Sequence, residues 1–107
     1  MKNYREQIEE IIQDINNKIV NLLYRHGFRY EVTILGDTPV LKSNVYDENL
    51  TFTLDCVGIR NGKVYFEGSS SCENITLWAD QIYVEVLIGL YYWLVDSEDE
   101  IFGKWEK

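Results

Sequence analysis

Residues 50–68 read LTFTLDCVGIRNGKVYFEG, and the fold is decided by how this stretch is laid out. Asn61-Gly62 is the strongest local signal in the chain, because both residue types tolerate the positive φ angles that a two-residue type I′ turn requires. A hairpin on that turn pairs Ile59 with Val64 and Gly58 with Tyr65. Upstream, Leu50, Phe52, Leu54 and Cys56 alternate with Thr51, Thr53 and Asp55, as in a strand with one buried face. Nearer the turn the apolar positions are instead Val57, Ile59, Val64 and Phe66. The parity changes between 56 and 57, and in a regular strand such a change would turn half the apolar residues to solvent. One extra residue between Asp55 and Gly58, a β-bulge, reconciles the two halves, with Gly58 as its natural site; the less favoured alternative is that both faces are covered locally. Cys56 reads as a small buried hydrophobe within this strand.

Upstream of the hairpin lies a helix over about residues 3–25. Tyr4, Ile8, Ile11, Ile12, Ile15, Ile19, Leu22 and Leu23 recur every three or four positions and form a one-sided stripe. Glu6, Glu9, Glu10, Gln13 and Asn17 take the other side, and His26-Gly27 closes the helix. Tyr30, Val32 and Ile34 alternate as a first strand, and Val40–Tyr46 make a second, less regular one. Gly68-Ser69-Ser70-Ser71 is expected to end the sheet as a flexible loop. A long second helix is then expected from Thr76 to Val95. Its later part, residues 86–95, reads VLIGLYYWLV and is apolar on every side. That run is too short to span a membrane, so it must be covered by a third helix or by another chain. Ser97-Glu98-Asp99-Glu100 has the form of a capping box, followed by Ile101, Phe102 and Trp105 as one side of a short terminal helix. The expected fold is α+β: an N-terminal helix, a three- to four-stranded antiparallel sheet, and a long C-terminal helix plus a short terminal one packed on one face.

The 107 residues suit one compact domain over positions 1–107. With 46% hydrophobic and 14% aromatic residues, the chain has the apolar surface that disordered acidic tails lack. The formal net charge is -8. Between Lys63 and Lys104 no Lys or Arg occurs, while Glu67, Glu73, Asp80, Glu85, Asp96, Glu98, Asp99 and Glu100 do. These eight acids equal the whole excess of negative charge. Direct binding to DNA or RNA needs a basic stripe, so it is not expected. The opening residues MKNYREQIEE hold no apolar run like a signal peptide, so a cytoplasmic protein is expected, with no membrane association.

No enzyme signature stands out, and neither cofactor nor metal is expected. His26 is the only histidine and fits a helix C-terminus, where it complements the dipole. Cys56 and Cys72 have no CxxC spacing and no neighbouring His, and their spacing neither demands nor forbids a disulfide. Asp96, Glu98 and Glu100 alternate like calcium ligands, but Ile101 stands where an EF-hand needs Gly. The serine-rich loop lacks a P-loop lysine and is followed by Glu73, which would repel an anion.

Aromatic residues beside uncompensated carboxylates instead suggest a binding surface. The residues expected to form it are Asp80, Tyr83, Asp96, Glu98, Asp99, Glu100 and Trp105. The expected function is that of a non-enzymatic module binding a protein partner with a basic surface, as a nucleic-acid mimic that occupies a nucleic-acid-binding site. In layout, size and acidic bias the chain resembles several phage-encoded inhibitors of host defence, a resemblance of architecture and charge alone. The alternative is a structural or assembly subunit, a homo-oligomer joined through the apolar helix 86–95.

Overall fold

In the computed structural model, Asn61 and Gly62 turn the chain with φ of 53° and 75°, as a type I′ turn requires. The structure describes residues 3–34, 39–42, 51–70 and 73–102. Two long strands flank the turn, β3 (Thr51–Arg60) and β4 (Lys63–Ser70). Ile59 pairs with Val64 and Gly58 with Tyr65, the register read from the sequence. The register slips between Leu54 and Cys56, leaving Asp55 as the extra residue of a bulge. Leu54, Val57 and Ile59 therefore all face the core, and each is at least 96% buried. The bulge also turns Cys56 away from that core, onto the opposite face of the sheet. Its expected place among the upstream apolar residues is thus corrected.

Strand β1 (Glu31–Thr33) and strand β2 (Val40–Lys42) both pair antiparallel with the free edge of β3, at Cys56–Gly58 and at Thr51–Thr53. The outer part of the expected second strand, residues 43–46, lies outside the described residues. Strand β5 (Glu73–Trp78) pairs antiparallel with β4 and gives the order β1 and β2, β3, β4, β5. This strand corrects two expectations. Gly68, Ser69 and Ser70 are not a loop but the end of β4, opposite Ile75, Asn74 and Glu73. Residues 76–78 are not helical: Ile75 and Leu77 turn to the core, and their backbone supplies the hydrogen bonds that the edge of β4 would otherwise lack.

Helix α1 (Tyr4–Arg25) begins at Asn3, whose Oδ1 accepts the Glu6 N–H at 2.8 Å. It ends in a Schellman motif: Gly27, at φ +82°, donates to Tyr24 O and Phe28 donates to Leu23 O. Ile15, Ile19, Leu22 and Leu23 are buried against the sheet and the second helix, while Tyr4 and Ile11 on the same stripe remain exposed. Asn16 is the buried polar exception. Its Oδ1 accepts the Val64 N–H at 2.8 Å and its Nδ2 donates to Gly62 O, which ties the helix to the hairpin.

A single 3-10 turn (Ala79–Gln81) leads to helix α2 (Val84–Asp96) and the short helix α3 (Glu98–Phe102). The second helix is 13 residues long against 22 for α1, so the longest helix is N-terminal, not C-terminal. Ser97 is the hinge between α2 and α3. Its N–H donates to Trp93 O and its carbonyl accepts from Ile101 N, both at 2.9 Å. Ile101 is fully buried. The fold is α+β, with core residues from both long helices and from one face of the antiparallel sheet.

Candidate functional site

Helix α2 is not apolar on every side, although residues 86–95 read that way. Leu87, Leu90 and Leu94 are buried, and Val86, Ile88, Tyr91, Trp93 and Val95 are half-buried on the flanks. Glu85, Gly89, Tyr92 and Asp96 are exposed. At 100° per residue these four fall within about 60° of arc, so they form one outward line along the helix. Tyr92 is its aromatic centre, 59% exposed, with its ring edge-on to Tyr91 at 5.4 Å. Beyond Ser97, Asp99 and Glu100 of α3 are also exposed. Among the described residues Glu85, Asp96, Asp99 and Glu100 make no ion pair.

The flanks of α2 find cover within the chain. On one side Lys18 of α1 lies over the Tyr91 ring, 5.8 Å from its centre. On the other, Pro39 and Val40 border a groove with Val86 and Trp93. The core side of α2 therefore needs no second chain to bury it.

The expected site residues do not all come together. Asp96, Glu98, Asp99 and Glu100 share the junction of α2 and α3. Glu98 is already engaged there by the earlier half of the chain. His26 Nε2 donates to its Oε2 at 2.6 Å, and Arg25 Nη2 lies 3.4 Å from its Oε1. Tyr83, half-buried, is the N-cap residue of α2, about 20 Å along the helix from Asp96. Asp80 is exposed on the 3-10 turn and lines a cleft with Arg60 and Lys63. Trp105 lies outside the described residues. Of the other acids in the cation-free stretch, Glu67 pairs with Arg60 at 3.6 Å and Glu73 is exposed on β5. The eight acids are thus spread over five elements and partly met by cations from the first sixty residues, rather than gathered in one continuous area.

Three members of the outward line, Glu85, Gly89 and Tyr92, were not among the expected residues. Their signal was present in the spacing 85, 89, 92, 96, which is helical and starts and ends on an acid. The apolar run hid it because Gly89 and Tyr92 counted as apolar.

The chain matches no family model, no curated protein and no solved structure. Among the described residues no helix is long and apolar enough to cross a membrane.

Proposed function

We propose that the protein is a non-enzymatic binding module that docks the outward face of α2 and α3 on a basic surface of a partner protein. The observation that carries this is the exposed line Glu85, Gly89, Tyr92, Asp96 on α2, with the exposed Asp99 and Glu100 on α3, whose carboxylates make no ion pair among the described residues. An exposed tyrosine flanked by unpaired carboxylates has the composition of an interface anchor with an anionic rim. Gly89 leaves the helix backbone open beside Tyr92, with nothing within 4 Å of where a Cβ would stand.

In a narrower form of the proposal, the partner's basic surface is one that binds nucleic acid, and the module occludes it. The unpaired carboxylates favour this form and their number limits it. From Glu85 to Asp96 the helix rises about 16 Å. Duplex DNA places about nine charges over that length, against two acids, Glu85 and Asp96, neither in an ion pair among the described residues. Contact with a basic protein surface therefore asks less of these residues than full imitation of a duplex.

The test is affinity capture from the native host, with the wild type set against Asp96→Lys/Asp99→Lys/Glu100→Lys. Glu98 is left intact, because its reversal would also break its bonds to His26 and Arg25. A partner that is held at low salt, released at high salt and lost in the triple variant supports the proposal. Equal capture of the same partner by the folded triple variant overturns it.

A further inference from the structure

The face of the sheet turned away from the core carries a second group of side chains. Cys56 on β3 lies directly between Thr33 on β1 and Glu67 on β4, and the next row holds Glu31, Gly58, Tyr65 and Trp78. The bulge at Asp55 is what brings Cys56 to this face, 93% buried, instead of into the core with Leu54. One carboxylate oxygen of Glu31, one of Glu67 and the Cys56 sulfur lie within 4.8 Å of one another.

The groups around these three donors hold them in place. Tyr65 Oη donates to Glu31 Oε2 at 2.9 Å. Its ring can cross the sheet to do so only because residue 58 is glycine: a Cβ there would stand 2.5 Å from Tyr65 Cζ. Arg60 stacks on the same ring, 4.3 Å from its centre, and its Nη2 lies 3.6 Å from Glu67 Oε1. The other oxygen, Glu67 Oε2, faces the Cys56 sulfur at 3.7 Å. Each carboxylate is thus oriented from outside the trio through one oxygen, while Glu67 keeps its second oxygen on the thiol. Hydrogen bonds from outer residues to ligating carboxylates are what metal sites use to fix their ligands.

We propose that Glu31, Cys56 and Glu67 form a binding site for a single divalent cation of the zinc class on the face of the sheet turned away from the core. Bonds of about 2.0–2.3 Å to oxygen and sulfur place tetrahedral ligands about 3.5 Å apart, so modest side-chain rotations close the observed spacing around an ion. One sulfur and two oxygens suit a borderline cation rather than calcium or magnesium, which take oxygen ligands alone. The thiol proton leaves to solvent as the sulfur–metal bond forms, and no oxidation state changes. Two carboxylates and a thiolate then balance the ion and the Arg60 guanidinium. Three protein ligands leave a fourth position for water or for a donor from another molecule.

The test titrates Co2+ into the reduced, chelator-treated full chain and follows the thiolate-to-cobalt charge-transfer absorption. A band that saturates at one equivalent and is abolished by Zn2+ is expected. Cys72→Ser should keep the band, and Cys56→Ser should lose it. Tyr65→Phe removes only the bond that orients Glu31 and should weaken cobalt binding by about 10- to 100-fold. Should Cys56→Ser fail to fold, Glu67→Gln serves as the second variant and should also lose tight binding. No charge-transfer band in the wild type, or a band that survives in folded Cys56→Ser, overturns the proposal.

Discussion

Gly58→Ala isolates one contact whose cost can be worked from the geometry. A Cβ at residue 58 would stand 2.5 Å from Tyr65 Cζ and Oη and 2.7 Å from Cε1. Relief requires the ring to move by about 1 Å, the shortfall from ordinary van der Waals contact. The ring is 98% buried and bears Arg60 on its face and Trp78 at 5.7 Å, so it cannot swing freely. Overpacking of this kind costs about 1–3 kcal/mol, and strain on the Tyr65–Glu31 bond adds about 1 kcal/mol. Replacing a strand glycine by alanine returns about 0.5–1 kcal/mol. The net loss is about 1–3.5 kcal/mol, or roughly 4–16 °C in Tm for a chain of this length. Thermal denaturation followed by circular dichroism reads it directly. The clash involves only the far end of the ring, and a leucine stops short of it. In a Tyr65→Leu background the Gly58 substitution should therefore be neutral or slightly stabilising, with a coupling of about 2 kcal/mol across the cycle. Additive effects of the two substitutions would refute the packing of Tyr65 over Gly58.

Asn16→Ala leaves the buried Val64 N–H without its acceptor and should destabilise the protein by about 1–3 kcal/mol, with amide exchange accelerated at Val64. Glu98→Ala removes the carboxylate that His26 and Arg25 share and should cost about 1 kcal/mol, read from the urea midpoint. Alkaline pH should also destabilise the fold. Burial first, and then the carboxylates of Glu67 and Glu31, push the Cys56 thiol from 9.0 up to about 12. Burial and the bond to Glu31 raise the Tyr65 phenol from 10.0 to about 12. Between about pH 9 and 12 the unfolded chain has lost protons that the folded one keeps, so stability falls across that window as pH rises. The urea midpoint should be level below pH 9 and decline above it, and Cys56→Ser should delay the decline towards pH 10. A flat profile to pH 12 would contradict the raised values.

The hairpin, its register and the bulge were legible because each rests on local chemistry. Asn-Gly fixes the turn, and the parity conflict between Cys56 and Val57 points to a bulge, though its extra residue is Asp55 and not Gly58, which pairs regularly with Tyr65. The first helix was legible for the same reason, since its stripe and its glycine stop agree. Strand β5 was not. Residues 73–78 have weak alternation of their own, and what makes them a strand is the unpaired edge of β4, a partner that periodicity cannot see. The same edge pairing separates the expected site residues: a helix from residue 76 would carry Asp80 and Tyr83 towards Asp96, whereas the strand and the 3-10 turn leave both before the start of α2. The charge excess was counted correctly, but position along the chain says little about where a carboxylate points once Arg25, His26 and Arg60 fold back onto it. The meeting of Glu31, Cys56 and Glu67 has no sequence spacing at all, because it is made by register across three strands.

The most direct test of the binding face is a carboxylate footprint of the protein, free and in complex with its captured partner, using carbodiimide labelling read by mass spectrometry. Glu85, Asp96, Asp99 and Glu100 should lose reactivity in the complex, while the exposed Glu9 and Glu73 keep theirs. Unchanged labelling along α2 and α3, with protection moved to Glu31 and Glu67 on the sheet face turned away from the core, would contradict the account.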